Sequence, residues 1–144
     1  MPKTAATPGY SGTPLARKLG IQADAEVMTL NAPADYRAWL APLPAGVRFV
    51  KRAGATTGIA HVFVKRKAEL TATLGGLRTA LGPEAAVWVS WPKKTSGVES
   101  EVTENLIRDV ALPLGFVDVK VCAVSDVWSG LKLVIRKALR GQPA

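Results

Sequence analysis

Few residues of this chain have side chains suited to acid–base, nucleophilic or metal chemistry. The 144 residues include one histidine, His61, and one cysteine, Cys122. His61 lies inside the apolar run 59–64 (IAHVFV), and no nucleophile or orienting carboxylate is near it in sequence. We therefore expect a core histidine whose ring nitrogens are hydrogen-bonded, rather than a catalytic base. A single cysteine excludes an internal disulfide and a multi-cysteine metal site. The sequence predicts no catalytic residue and no metal site.

Three glutamates follow a short pattern that is typical of a helix start. Residues 96–99 (SGVE) have the form of a capping box, in which a serine and a glutamate satisfy the first free amides of a helix. This predicts a helix that begins at Ser96 and ends at Gly115. Glu99, Glu101 and Glu104 would lie in its first turns, where acidic side chains complement the helix dipole. The one apolar side of this helix would present Val102, Leu106, Val110 and Leu114.

Basic side chains dominate the charge of the chain, with 19 Lys and Arg against 11 Asp and Glu and a net charge of +8. This excess favours anionic partners. Ligands of open α/β sheets collect at the carboxyl ends of the parallel strands. Seven basic residues follow the predicted strands there: Lys51, Arg52, Lys65, Arg66, Lys67, Lys93 and Lys94. The residues that enter the strands at the other edge are mostly acidic (Asp24, Glu26, Glu84 and Asp118, with Arg48 as the exception), which predicts a polarised domain.

Residues 93–97 (KKTSG) would place free amides and hydroxyl groups at a helix start, which favours an anion such as phosphate. The predicted anion-binding residues are Lys51, Arg52, Lys65, Lys93, Lys94, Ser96 and Gly97. The predicted rim of the site consists of Asn31, Asp35, Trp91 and Trp128. Two alternatives stay open: the lysines are simply solvated, and the two tryptophans pack against the body of the domain.

Hydrophobic periodicity places these residues in one α/β domain over residues 13–138, with tails at 1–12 and 139–144. Strands are predicted at 26–30, 47–50, 59–64, 85–91, 116–124 and 131–137, and helices at 13–20, 35–43, 66–81 and 96–115. Because the last two strands are too close in sequence for a helical crossover, they should form an antiparallel hairpin. The prediction is a doubly wound, mostly parallel sheet of about six strands with helices on both faces. We find neither an apolar membrane span nor a secretory signal, which predicts a soluble, cytoplasmic protein.

Residues 77–90 (LRTALGPEAAVWVS) resemble the helix–turn–strand of class I, S-adenosylmethionine-dependent methyltransferases. Residues 115–137 are similar to the hairpin that closes the sheet of those enzymes. The resemblance implies a shortened methyltransferase-like fold that lacks one strand–helix unit between Val50 and Ile59. It also implies a cofactor site with a glycine-rich turn after the first strand and an acidic residue after the second.

The residues at those two positions argue against S-adenosylmethionine. The turn at 31–35 (NAPAD) contains no glycine, and Pro33 removes an amide donor. Lys51 and Arg52 follow the second strand and have the opposite charge to the expected acid. The sequence therefore favours a non-catalytic domain that binds a nucleotide, a phosphorylated metabolite or RNA at its basic edge. Two alternatives remain: a methyltransferase with an atypical pocket around Asn31 and Asp35, and a protein-interaction module.

Several further segments resemble a family of small bacterial proteins known as domain of unknown function 3052. They are 10–16 (YSGTPLA), 30–33 (LNAP), 88–94 (WVSWPKK), 121–124 (VCAV) and 128–131 (WSGL). This resemblance implies relatives but no activity. If the domain is an interaction module, the N-terminal motif and the hairpin around Trp128 would form the contact.

Overall fold

A computed structural model describes residues 13–140 of the chain. Its strands are β1 (Glu26–Leu30), β2 (Arg48–Val50), β3 (Ile59–Phe63), β4 (Ala86–Pro92), β5 (Phe116–Ala123) and β6 (Trp128–Ile135). Its α-helices are α1 (Leu15–Leu19), α2 (Tyr36–Leu40), α3 (Lys67–Ala80) and α4 (Glu104–Leu114), and two short 3-10 helices cover Lys94–Ser96 and Lys137–Leu139.

The six strands form one mixed sheet in the order β2-β1-β3-β4-β6-β5. Strands β1 to β4 are parallel, and β6 is antiparallel to both β4 and β5. The predicted fold class is confirmed. The connection from β2 to β3 crosses β1 without a helix, at the place where the sequence predicts a missing unit. Strand β2 itself has only three residues.

Each face of the sheet is covered by its own apolar cluster. On one face, Leu70, Leu74 and Leu77 of α3 are buried with side chains of β3, β4 and β6. On the other face, α1 and α2 contribute Leu15, Leu19, Tyr36 and Leu40 to the second cluster. All five residues of β3 are buried because this strand has helices on both sides.

The helix predicted from Ser96 begins eight residues later. The Ser96 hydroxyl donates to the Lys93 carbonyl (2.6 Å) and accepts from the Val98 amide (3.1 Å). Gly97 has a left-handed φ of 79°, which ends this short turn. The N-cap of α4 is Thr103, whose Oγ1 accepts from the Leu106 amide at 3.1 Å. The capping-box prediction was wrong because the Ser96 hydroxyl is used within its own turn.

This correction changes the role of residues 97–103, which form an irregular segment. Only Glu104 of the three glutamates lies in the first turn of the helix. The fully buried side chains of α4 are Ile107 and Ala111. Leu106, Val110 and Leu114, from the predicted apolar side, are only partly buried.

Candidate ligand-binding groove at the carboxyl edge of the sheet

The carboxyl ends of β1 to β4 meet at one edge of the sheet, and the seven predicted basic residues follow those strands. Lys51 and Arg52 follow β2, Lys65 to Lys67 follow β3, and Lys93 and Lys94 follow β4. All of them are exposed except Lys93, which is half-buried. Within residues 13–140, none of the seven forms an ion pair, since the three ion pairs there join Arg48 to Glu26 and Arg108 to both Glu104 and Asp118.

A groove of about 890 Å³ lies at this edge, beside the ends of β3 and β4. This volume is typical of small-molecule sites. The loop after β3 contributes Lys65 and Arg66, the end of β4 contributes Trp91 and Pro92, and Lys94 follows. The rest of the lining comes from residues 97–103.

The groove contains some of the predicted site residues and not others. Lys65, Lys94, Gly97 and Trp91 line it. Lys51 and Arg52 follow β2, which is separated from β3 by β1. The backbone amide of Lys93 donates to the Val127 carbonyl at 2.7 Å, and Ser96 is turned toward the carbonyl of Lys93. The predicted helix start that would have supplied further anion donors at Ser96 and Gly97 is absent from the described chain.

The irregular segment 97–103 is fastened to the loop after β3 by Glu101. The Glu101 amide donates to the Lys65 carbonyl, and its carboxylate accepts from the Lys67 amide, both at 2.8 Å. Because Lys67 is the first residue of α3, this carboxylate already lies where an anion would complement the helix dipole. Glu99, two residues earlier, has no hydrogen-bond or ion-pair partner among residues 13–140.

The strand order reverses between the carboxyl ends of β1 and β3, and ligands of such sheets usually bind in the crevice outside such a point. Here the Asn31 side-chain amide donates to a Glu69 carboxylate oxygen at 2.8 Å and approaches the Phe63 carbonyl at 3.4 Å. The other Glu69 oxygen accepts from the Lys65 amide at 3.3 Å. The predicted rim residues Asn31 and Asp35 therefore lie at the end of β1, where Asn31 bridges the crevice rather than lining the groove.

Three features of this region depart from the cofactor site that the methyltransferase resemblance implies. The Asn31–Glu69 bridge spans the crevice, Pro33 donates no amide, and the cations Lys51 and Arg52 follow β2. One feature does fit. Asn31 has a φ of 58°, the left-handed conformation that a glycine turn provides and that asparagine tolerates better than other residues.

The structure surrounds His61 with two hydroxyl groups that are distant in sequence. The Tyr36 hydroxyl lies 2.7 Å from Nδ1, and the Ser90 hydroxyl lies 2.7 Å from Nε2. The ring stacks on Phe63 with centroids 4.5 Å apart. Burial lowers the pKa of His61 from 6.5 to about 3, so the imidazole is neutral, and burial raises the pKa of the Tyr36 hydroxyl.

This cluster confirms the prediction of a satisfied core histidine. Ser90 and His61 are as close as a nucleophile and its base, but both are 0% exposed, so a substrate has no access to them. The sequence alone does not predict that these side chains meet, because Tyr36 and Ser90 are 25 and 29 residues away from His61. The available signal was one serine in the apolar strand AVWVSWP.

Both tryptophans proposed for the rim are packed. Trp91 is 9% exposed and belongs to the apolar cluster under α3 and α4. Trp128 is half-buried, and the edge of its ring meets Phe63 with centroids 5.0 Å apart. Trp91 thus closes the floor of the groove. Of the proposed interaction motif, residues 10–12 lie outside the described residues, and Thr13, Pro14, Leu15 and Ala16 belong to the start of the domain, where Leu15 and Ala16 are buried in α1.

The predicted division into a basic edge and an acidic edge is only half right. Because β6 is antiparallel to β4, it ends beside the entering strands and brings Arg136, Lys137 and Arg140 to the edge that was predicted to be acidic. At the basic edge, Glu69, Glu99 and Glu101 lie among the cations. Polarity of charge therefore does not by itself distinguish the two edges.

Three arginines near the opposite edge differ from the groove cations in their hydrogen bonds. The Arg78 and Arg136 guanidinium groups donate to the Leu114 and Leu112 carbonyls at the end of α4, both at 3.0 Å. Arg140 donates to the Ile135 carbonyl at 2.9 Å. The side chains of Lys65, Arg66 and Lys94 have no such partner among residues 13–140. Arg78, Arg136 and Arg140 therefore stabilise the fold, whereas the groove cations remain available to bind a ligand.

Within residues 13–140, no His, Cys, Asp and Glu side chains form a group of three or more that could hold a metal ion. No helix in that range is long and apolar enough to cross a bilayer.

No family model and no curated protein matches the chain. The resemblance to family 3052 therefore stays a prediction.

Solved structures match this chain over most of its length. A putative type 11 methyltransferase from Sulfolobus solfataricus has a TM-score of 0.60 at 9% identity, over 90% of this chain and 92% of that one. An S-adenosylmethionine-dependent methyltransferase from Aquifex aeolicus has a TM-score of 0.59 at 11% identity, over 84% and 87%. DhpI, in complex with S-adenosylhomocysteine, has a TM-score of 0.58 at 12% identity, over 85% of this chain and 82% of that one. At these identities the likeness shows the fold alone, which is methyltransferase-like.

Proposed function

We propose that this domain binds a small anionic ligand in the groove beside β3 and β4 and does not catalyse methyl transfer. Lys65, Arg66 and Lys94 would supply the positive charge. The observation that carries the proposal is the set of exposed cations, without partners among residues 13–140, around a groove of about 890 Å³. Nucleotides and phosphorylated metabolites are the ligand classes that suit its size and charge.

The choice of this groove over the β1–β3 crevice depends on which polar groups are free to bind. Asn31 and Glu69 hydrogen-bond each other at the end of β1, whereas the side chains of Lys65, Arg66 and Lys94 have no partner among residues 13–140. Lys51, Arg52 and Lys93 would act at longer range, by adding to the positive field along the edge. Ser96 would contribute little as a donor, because its hydroxyl hydrogen is used by the Lys93 carbonyl.

RNA is a less favoured ligand on this structure, because base stacking requires accessible aromatic faces. Trp91 and Trp128, the aromatic residues proposed for the rim, are both packed. RNA remains one arm of the test.

The test is a thermal-shift and calorimetry panel of inorganic phosphate, nucleotides, phosphorylated metabolites and short RNA at two salt concentrations. A ligand at one hundred times its dissociation constant stabilises the folded state by about 2.7 kcal/mol. The melting temperature should then rise by about 5–10 °C, and less at high salt.

The assignment to the groove is tested by two matched triple variants. Lys65→Gln, Arg66→Gln and Lys94→Gln together should remove most of the binding. Arg17→Gln, Lys120→Gln and Lys137→Gln remove the same charge from exposed positions elsewhere and should retain it. Equal losses in both variants, or no salt-sensitive ligand in the panel, would contradict the proposal.

A second candidate is a methyltransferase with an atypical pocket around Asn31 and Asp35. Two observations favour it: the structural likeness to proteins described with S-adenosylmethionine or its product, and the left-handed turn at Asn31. Calorimetry with S-adenosylmethionine tests it, using Asn31→Ala and Asp35→Ala as site variants. Binding that both variants abolish would establish this candidate, and absence of heat at millimolar cofactor would remove it.

The remaining expectations on identity and location belong with this proposal. The protein would be a bacterial, cytoplasmic member of family 3052. Three of the segments that carry this resemblance, 30–33, 88–94 and 128–131, end or begin at the carboxyl edge of the sheet, the edge that contains the groove.

A further inference from the structure

We infer that the ligand of the groove is zwitterionic: a small molecule that carries a phosphate or carboxylate at one end and an ammonium group at the other. This inference rests on the proposed function and names the class of ligand more closely. Its basis is Glu99, an exposed carboxylate that lines the same groove as Lys65, Arg66 and Lys94.

The groove contains charges of both signs that do not neutralise one another. Lys65, Arg66 and Lys94 form no ion pair with Glu99 or Glu101, although all five residues line the groove. Glu101 has a structural use, since its carboxylate accepts from the Lys67 amide at the start of α3. Glu99 has no such use among residues 13–140 and is the carboxylate left for a ligand.

A purely anionic ligand would complement only part of this arrangement. Its charge would be attracted by the three cations and repelled by Glu99. A ligand with an ammonium group beside Glu99 would turn that repulsion into attraction. The two polar ends of such a ligand would be matched by opposite charges of the protein.

Apolar side chains form another part of the lining, beside Gly97, Ser100 and Thr103. Val98 is 39% exposed, and Pro92, Trp91 and Val102 are buried side chains that also line the groove. These side chains offer contact to a short hydrocarbon segment that joins the two charged ends of the ligand. The lining therefore provides for an anion, a hydrocarbon segment and a cation.

The test compares two probes that differ only in the ammonium group. Ethyl phosphate carries the anion alone, and O-phosphoethanolamine carries the anion and an ammonium group on a two-carbon chain. Binding of each to the full chain is measured by calorimetry at low salt. We expect O-phosphoethanolamine to bind up to about fivefold more tightly, the most that an exposed ion pair usually provides.

Two carboxylate variants locate the preference. Glu99→Gln should abolish the preference, so that the two probes bind equally, while ethyl phosphate binds as well as before or better. Glu84→Gln, which removes an exposed carboxylate at the opposite edge, should retain the preference.

The outcomes separate this inference from the proposed function. If both probes bind equally to the unaltered protein, or if Glu99→Gln keeps the preference, the zwitterion inference is overturned and the anion site stands. If neither probe binds, and the phosphate panel also shows no binding, both proposals fail.

Discussion

The polar groups around His61 and the charged groups of the groove differ in burial and in hydrogen bonding, although both belong to the same sheet. His61, Tyr36 and Ser90 are buried, and each hydrogen-bonds within the cluster. No buried side-chain nitrogen or oxygen in residues 13–140 lacks a partner. The side chains of Lys65, Lys94 and Glu99 are exposed and have no hydrogen-bond or ion-pair partner in that range.

The difference teaches which polar residues belong to the fold and which to function. A buried polar group without a partner would cost about 1–3 kcal/mol, so the His61 cluster has to be complete for the protein to be stable. Exposed charges have no such requirement, because water solvates them. Charges that line a groove and remain unpaired are therefore candidates for binding, whereas the Ser90–His61 pair is structural despite its suggestive distance.

The largest expected effect is that of removing the buried imidazole. His61→Ala should lower the free energy of unfolding by about 4 kcal/mol, since it leaves a cavity and deprives two buried hydroxyls of their partner. Urea denaturation followed by circular dichroism measures this loss. Lys94→Gln is the control and should change the free energy by less than about 0.5 kcal/mol. A loss below about 1 kcal/mol for His61→Ala would show that the cluster is not part of the core.

The second effect is a pH dependence that arises from the same imidazole. The unfolded chain protonates His61 near pH 6.5, whereas the folded chain does so only near pH 3. Between these values the unfolded state binds more protons, so stability falls as the pH is lowered, by about 1.4 kcal/mol per pH unit from this group. Above pH 6.5 the group contributes no pH dependence.

The measurement is the free energy of unfolding between pH 7 and pH 4 for the unaltered protein and for His61→Phe. The phenylalanine variant is less stable at pH 7, but its stability should fall less steeply with acid, because only the other titrating groups remain. Parallel curves for the two proteins would disprove the assignment of the slope to His61.

A smaller effect distinguishes the two glutamates inside the groove. Glu101→Ala should destabilise the protein by about 1 kcal/mol, because its carboxylate accepts from the first amide of α3. Glu99→Ala should change stability by less than about 0.5 kcal/mol. Thermal unfolding of both variants provides the measurement. Equal effects would remove the distinction on which the zwitterion inference depends.

The smallest effect is expected for the groove cations themselves. Lys65→Gln, Arg66→Gln and Lys94→Gln should each leave the free energy of unfolding within about 0.5 kcal/mol of the original, with a slight gain at low salt because the net charge of +8 is reduced. Chemical denaturation at two ionic strengths checks this. A loss above about 1 kcal/mol would mean that these side chains serve the fold, as Arg78 and Arg136 do.

The sequence was informative wherever short-range patterns decide the structure. Strand β1 has the predicted bounds, since its short run of apolar residues ends just before the turn that contains Pro33. The leucines at 70, 74 and 77 predicted α3 correctly, because one apolar side is sufficient to fix a helix of this length.

The sequence failed at the start of α4, where two local patterns compete. Ser96 and Glu99 match a capping box, but Thr103 supplies the N-cap. The predicted helix includes residues 97–103, so the sequence does not indicate that Glu99, Glu101 and Val102 line a groove. Within this segment, Glu101 contacts the loop after β3, and this contact between residues distant in sequence is not visible in any local pattern.

By itself, the sequence determined the order of helices and strands, the fold class and the collection of basic residues at the ends of the parallel strands, because each depends on periodicity and on neighbours along the chain. Only the tertiary structure decided that Tyr36 and Ser90 satisfy His61, that Asn31 and Glu69 bridge the crevice, and that the return of β6 brings arginines to the opposite edge. These contacts join residues from separate elements. Their geometry is set by strand register and helix packing, which no local pattern encodes.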